Sequence, residues 1–282
     1  MSMTAAFETA MTDAEFKALQ ALIREEAGIH LEPVKRSLLI ARLSRRLRVL
    51  GVGSFGEYCK RLHERDSEEK RHMIDAICTN ETHFFRDLRQ FDFFRSVVLP
   101  GMVRRCDPIR IWSAACSTGE EPYSLAMTAL EVLGSPPGHP IEILASDLSS
   151  KALNAARAGI WPAKKAVEIP PSFLKRFMLQ GVGSQEGMIA AGPEIRSLIT
   201  FAPINLNHDF DPAAGHDVIF CRNVLIYFDR PTRLQVVHRL LRALRPGGYL
   251  FLGHAESLNG MDCDARSVGP NVYAVAAQGD RT

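Results

Sequence analysis

The residues best placed to do chemistry lie in one stretch, IRIWSAACSTGEEPYSLAM, residues 109–127. Its pattern predicts a strand from Ile109 to Ala114, a turn at Ser117-Thr118-Gly119 and a helix from about Pro122 to Leu133. In open parallel sheets ligands bind at such carboxyl ends, where a small residue lets the backbone come close to the ligand. The turn has one glycine, Gly119, and Glu120 and Glu121 stand where a pyrophosphate would meet the helix N-terminus. Two carboxylates disfavour a phosphate there. They suit a cationic, hydroxyl-rich ligand, and S-adenosylmethionine offers a sulfonium, an ammonium and a ribose diol. Asp147, just beyond the next predicted strand (Ile141 to Ala145), sits where an acid reaches ribose hydroxyls. Two plainer roles stand beside these: Asp147 as a helix cap, and Glu121 as a partner of its own helix dipole.

These residues need a parallel sheet to hold them, and the pattern after Pro108 supplies one. Strands are expected at 109–114, 141–145, 217–221 and 249–253, alternating with helices at about 122–133, 149–158 and 229–245. Such alternation implies a mostly parallel sheet with helices on both faces. The Pro246-Gly247-Gly248 run is expected to close the last helix, and a final strand over 271–276 to pair antiparallel at the end of the sheet. Between Pro170 and Asn207 the alternation breaks. Gly181, Gly183 and Gly187 and short β-prone pieces (187–190, 198–202) predict a small antiparallel insertion over about 181–202.

The first hundred residues read as helical, with no strand pattern. Thr12 with Glu15 forms a capping-box signature ahead of Phe16, Leu19, Leu22 and Ile23, and Gly28 ends that helix. Further helices are expected over about 34–50, 55–63 and 67–77. The expected division is a helical domain over 1–90 and an α/β domain over 91–282.

Composition narrows the class. The chain has 282 residues, 46% hydrophobic and 23% charged, with formal net charge +2, so it is a globular protein and not a disordered chain. No run is long and apolar enough to span a bilayer, and the acidic, h-region-free start MSMTAAFETAMTDAEF is not a secretory signal. Residues 1–100 and 101–282 each carry a net charge of +1, which gives bulk nucleic-acid binding no electrostatic support. Six scattered cysteines, with no pair at ligand spacing, argue against a zinc site or a disulfide framework. The expectation is a cytoplasmic, metal-free enzyme or regulator.

Several long motifs in order now make the chain recognisable: TNETHFFRD (79–87), WSAACSTGEEPYSLAM (112–127), ASDLS (145–149), FCRNVLIYFD (220–229) and LRPGGYLFLGHAESL (244–258). With the helical N-terminal region, they resemble the CheR family, the chemotaxis receptor glutamate methyltransferases, over nearly the whole chain. The resemblance implies methyl transfer from S-adenosylmethionine to receptor glutamates, giving γ-methyl esters and S-adenosylhomocysteine. It implies a Rossmann-like methyltransferase domain behind a helical docking domain. Carried over by motif, cofactor contacts fall on Asn80, Thr82, Arg86, Glu121, Asp147, Asn205, Leu206, Asn223 and Val224. Arg86 and Tyr227 fall near the methyl-transfer centre. Cys116 stands where many relatives carry a small inert residue, and it is small enough to fit.

The helix over 34–50 carries six cations and no acid within residues 35–48. Leu39, Leu43, Leu47 and Leu50 share one face, and Lys35, Arg42, Arg45 and Arg46, with Arg48 nearby, are expected on the opposite one. A solvated face is the usual meaning of such a run. The resemblance makes it a docking surface for the acidic cytoplasmic helices of a chemoreceptor, with RNA or an anionic membrane as competing partners. Some family members also bind a receptor's C-terminal tail peptide at the β insertion as an added strand. The expected state is a monomer. Two other functions use the same scaffold: methylation of a small molecule or RNA, and non-catalytic binding of S-adenosylmethionine.

Overall fold

The computed structural model describes residues 10–63, 67–103, 107–135, 137–209 and 215–276. The start of the chain (1–9), read above as no secretory signal, and Cys106 lie outside the described residues. The chain forms two compact units, one of residues 1–79 with 227–232, the other of residues 80–226 with 233–282.

The first unit is helical: α1 (Asp13–Ala27), α2 (Arg36–Leu50), α3 (Phe55–His63) and α4 (Ser67–Ile77). Thr12 and Glu15 form the expected reciprocal capping box, and Gly28, at φ 70°, ends α1 in the left-handed conformation. Phe16, Leu19, Ile23, Leu39, Leu43, Leu47, Tyr58, Leu62 and Met73 fill the core. At its centre the Glu69 carboxylate on α4 accepts from Arg46 Nη2 at 2.5 Å and Nε at 3.1 Å, and from the Tyr58 hydroxyl at 2.8 Å. One buried carboxylate therefore ties three helices together. Residues 227–232 close the unit: Ile29 bridges Phe228, His30 N–H donates to the Tyr227 carbonyl, and Arg24 pairs with Asp229 at 2.5 Å.

The second unit opens with α5 (Leu88–Phe93), a π-helical turn and α6 (Leu99–Met102), and then alternates strand and helix. Its main elements are β1 (Ile109–Ala114), α7 (Glu120–Leu133), β2 (Ile141–Asp147), α8 (Ser150–Ala158) and β3 (Ile160–Pro162). There follow α9 (Pro171–Phe177), β4 (Met178–Gln180), β5 (Met188–Ala191), α10 (Pro193–Arg196), β6 (Ile199–Pro203) and β7 (His216–Cys221). Last come α11 (Arg230–Ala243), β8 (Leu244–Leu252), β9 (Ala265–Gly269) and β10 (Val272–Val275). Seven strands form one sheet in the order β6-β2-β1-β7-β8-β10-β9. The first five are parallel, and β10 and β9 pair antiparallel at the end. Strand order reverses between β1 and β7, which places the ligand crevice of an α/β sheet at their carboxyl ends. Beneath it Phe220 stacks on Phe251 at 4.2 Å between ring centroids, with Phe94 edge-on to both.

Three expectations are corrected. The piece at 198–202 is no part of an insertion: it is β6, a parallel edge strand on β2. The antiparallel insertion is instead the separate sheet β3-β5-β4, built from chain on both sides of the glycine cluster. Pro246-Gly247-Gly248 lies inside β8, not between helix and strand, because a register shift opposite His216 and Val218 absorbs it. The last strand is not outermost either. Residues 265–269, whose alternation is faint, form β9 beyond it, joined by a turn with Asn271 at φ 56°.

Candidate functional site

The motif residues of the second unit gather at the carboxyl ends of β1, β2, β6 and β7. After β1, the chain turns through Ala115 (φ 64°), Ser117 (φ 51°) and Gly119 (φ 98°) into α7. Only glycine fits at 119: besides the positive φ, a Cβ there would come within 3.0 Å of the Ala156 backbone. Five of the six described non-glycine residues with positive φ are Phe85, Asp87, Ala115, Ser117 and Asn223, all in these motifs. Strain of this kind persists only where surrounding contacts hold it.

The two acids of the turn part company. Glu120 is buried and committed inward, 2.6 Å from Lys165 Nζ and 2.7 Å from the Thr118 hydroxyl. Its expected share in a ligand-facing charge is therefore withdrawn. Glu121 accepts from the Ser113 hydroxyl at 2.7 Å and pairs with Arg222 at 3.3 Å. Burial pushes its carboxyl upward in pKa, against the opposing pull of Arg222, Ser113 and Arg86. Asp147, buried at the end of β2, accepts from Ser117 N–H and Ser149 N–H, each at 2.8 Å. Ser149 itself caps α8 by accepting from Ala152 N–H, so Asp147 is not the cap of that helix.

The segment carrying Asn80, Thr82 and Arg86 is fastened to the same turn by its backbone. The Asn80 carbonyl accepts from Ser117 Oγ at 3.0 Å, and the Thr82 carbonyl from Lys165 at 2.8 Å. Phe84 N–H donates to Glu168, Phe85 N–H to Ser124, and the Arg86 carbonyl accepts from Arg222 at 2.5 Å. Among the described residues the Arg86 guanidinium makes one long hydrogen bond, 3.5 Å to the Glu81 carbonyl. After β6, Asn205 folds an Asx turn by accepting from Asn207 N–H, ahead of buried Leu206. After β7, Asn223 takes φ 60° because Glu256 accepts from the N–H groups of Asn223, Leu225 and Gly253 at 2.6–2.9 Å. Tyr227 is assigned to the helical unit with residues 228–232, and its carbonyl accepts from His30 N–H.

Sequence reasoning missed Lys165, Arg222 and Glu256, which touch the motif residues rather than lining a recognisable pattern. Arg222 and Glu256 sit inside the quoted motifs, FCRNV and HAESL, and that adjacency was the available signal.

The residues fit an S-adenosylmethionine-like group: one carboxylate at the end of β2, another in the first turn of α7, and a glycine turn without room for a side chain. Among the described residues no cluster of three metal-ligating side chains occurs, and no helix is long and apolar enough to cross a membrane.

In the helical unit, the basic run of α2 is not the uncompensated face that was expected. Arg46 binds Glu69, Arg36 binds Asp13 at 2.6 Å, and Arg42 donates to the Ile77 carbonyl and to Thr79 Oγ1. At 100° per residue Arg42 and Arg46 flank the leucine stripe instead of opposing it, so they reach α4. Lys35, Arg45 and Arg48 remain exposed, beside Val34 and Val49, which are 74% and 65% exposed.

Two family models match. The all-alpha domain of CheR methyltransferase covers residues 14–78, and its SAM-binding domain covers 80–273. Chemotaxis protein methyltransferase 2 of Pseudomonas aeruginosa is 41% identical over 266 residues, 94% of each chain. The chemotaxis protein methyltransferases of Escherichia coli and Salmonella typhimurium are 38% and 37% identical, each over 95% of this chain and 92% of the relative. With a strand-end site that fits S-adenosylmethionine and both domain models matched in order, the chain belongs to the CheR family of S-adenosylmethionine-dependent methyltransferases.

Proposed function

We propose that this protein methylates glutamate side chains of a chemoreceptor for sensory adaptation, with the α/β unit catalytic and the helical unit docking the receptor. The observation that carries the reading is the convergence of Glu121, Asp147 and the 80–86 segment at the carboxyl ends of β1 and β2, each fixed by hydrogen bonds. When bound, S-adenosylmethionine supplies a methyl group activated by its sulfonium. A substrate glutamate has a reference pKa near 4.3, so at neutral pH it is already the nucleophile and needs no general base. The chain's task is positioning, which can supply roughly 7 to 11 kcal/mol. Asp147 and Glu121 hold the cofactor's hydroxyl and cationic groups, with Asn80, Thr82, Asn205, Leu206, Asn223 and Val224 completing its binding. Arg86 orients the incoming carboxylate with its planar fork, and Tyr227 completes the pocket.

The exposed cations Lys35, Arg45 and Arg48 face acidic receptor helices, while Arg42 and Arg46 contribute field from partly buried positions. The outer strands of the β3-β5-β4 sheet leave edges to which a tail peptide adds as a strand, beside exposed Leu179 and Val182. The protein works in the cytoplasm as a monomer. Incubation with labelled S-adenosylmethionine and receptor fragments tests the function: base-labile label mapped to glutamates by mass spectrometry is expected. Label on RNA or a small molecule, or none with cofactor binding intact, would overturn it.

A further inference from the structure

Among the described residues Arg222 is the one strongly buried arginine at the strand ends, its side chain 3% exposed. It follows β7 directly. Its Nη1 lies 3.3 Å from Glu121 Oε2 and its Nη2 donates to the Arg86 carbonyl at 2.5 Å. The guanidinium carbon lies 5.9 Å from the centroid of the Phe91 ring, and buried Nε has no hydrogen-bond partner among the described residues. A buried guanidinium is costly unless paired, and Glu121 is its ion-pair partner among the described residues. The pair also joins three separate motifs: the GEEPYS turn, the NETHFFR segment and FCRNV.

We propose that Arg222 is a positioning residue of the methyl-transfer site, pinning the Glu121 carboxylate against Ser113 while fastening the Arg86 backbone to the same point. This rests on the reading of Glu121 as a cofactor contact. It acts through Glu121 and Arg86, not on the reacting atoms. The groups around Glu121 are Arg222 after β7, the Ser113 hydroxyl on β1, Arg86 before α5, and the thiols of Cys116 and Cys221. Cys116 also feels Asp147 and Glu120, and Cys221 feels Glu256. Burial favours the neutral form of Glu121, and Arg222 is the largest influence opposing it. Without Arg222 the carboxyl picks up a proton at higher pH. A neutral carboxyl attracts a ligand's ammonium far less, so the lost binding returns as pH rises and the group ionises again.

The test is calorimetric binding of S-adenosylhomocysteine to the full chain between about pH 6 and 7.5, where the ligand's ammonium stays protonated, each variant read as a ratio to wild type. Arg222→Gln is expected to bind about tenfold more weakly than wild type near pH 6, with the gap narrowing toward about pH 7.5. Arg222→Lys, which keeps the charge, is expected to show a pH-independent gap. Glu121→Gln should weaken binding equally at every pH, and adding Arg222→Gln to it should create no pH dependence. A pH-independent gap for Arg222→Gln, or none, overturns the role of Arg222. Wild-type affinity in Glu121→Gln overturns the underlying assignment of Glu121 instead.

Discussion

Arginine does two kinds of work in the two units. In the α/β unit Arg222 is buried, bound to a carboxylate and a carbonyl, and surrounded by backbone that its neighbours hold in left-handed turns. On α2 of the helical unit, arginines three residues or fewer apart differ completely: Arg46 is locked to Glu69, whereas Arg45 and Arg48 stand in solvent. The buried cations set geometry and tolerate little change. The exposed ones act through a field that salt screens, and each alone carries little.

The sharpest way to break that contrast is to mutate neighbours on one helix. Arg46→Ala leaves Glu69, only 3% exposed, without its cation and should cost about 3 kcal/mol, because an uncompensated buried charge is strongly destabilising. Arg45→Ala should cost under about 0.5 kcal/mol. Urea unfolding of both variants checks this, and equal losses would mean that the two arginines are not doing different work. Next in size is Asp147→Asn. It removes a charge that two backbone N–H groups hold in place, and hydrogen bonds to a charged group are worth about 1.5–3 kcal/mol. Binding of S-adenosylhomocysteine should fall by about tenfold or more and the melting temperature should fall with it; a drop in stability with affinity intact would make Asp147 structural. Arg86→Lys comes third. Lysine keeps the charge and loses the fork, so turnover should fall by about tenfold. Full turnover with normal cofactor affinity would dismiss the fork.

Much of this was legible before any coordinates. The capping box at Thr12 and Glu15, the helix boundaries at 55–63 and 67–77, and the strand-turn-helix at 109–133 follow from local rules, and local rules decide them. The misread elements depend on distant partners. Residues 198–202 look like any short β-prone piece, and only pairing with β2 makes them part of the main sheet. Pro246 breaks helices by chemistry, yet a bulge against β7 lets it sit in a strand. At the site, motif residues could be named one by one. Their backbone anchors could not, because Lys165 reaches Thr82 across 83 positions in sequence and Arg222 reaches Arg86 across 136. The basic face of α2 was misjudged for a nearer reason: a run without acids says nothing about acids on the next helix, and Glu69 was on α4.

The smallest effect is the one that separates a field from a contact. Lys35 just before α2 and Arg45 and Arg48 on it are exposed, as are their chain neighbours Val34 and Val49. Charges at such positions raise encounter rates with an acidic partner more than they strengthen the final complex. Arg45→Ala with Arg48→Ala should therefore raise the KM for receptor a few-fold at low salt and leave kcat and the KM for S-adenosylmethionine unchanged. Doubling the ionic strength should raise the receptor KM of the wild type more than its cofactor KM, and should do so less in the double variant, which has less field to screen. If salt moved both KM values equally, the α2 charges would be an ordinary solvated face. If instead the double variant lost kcat, these arginines would be contacts within the productive complex, and the helical unit would be doing the same kind of work as Arg222.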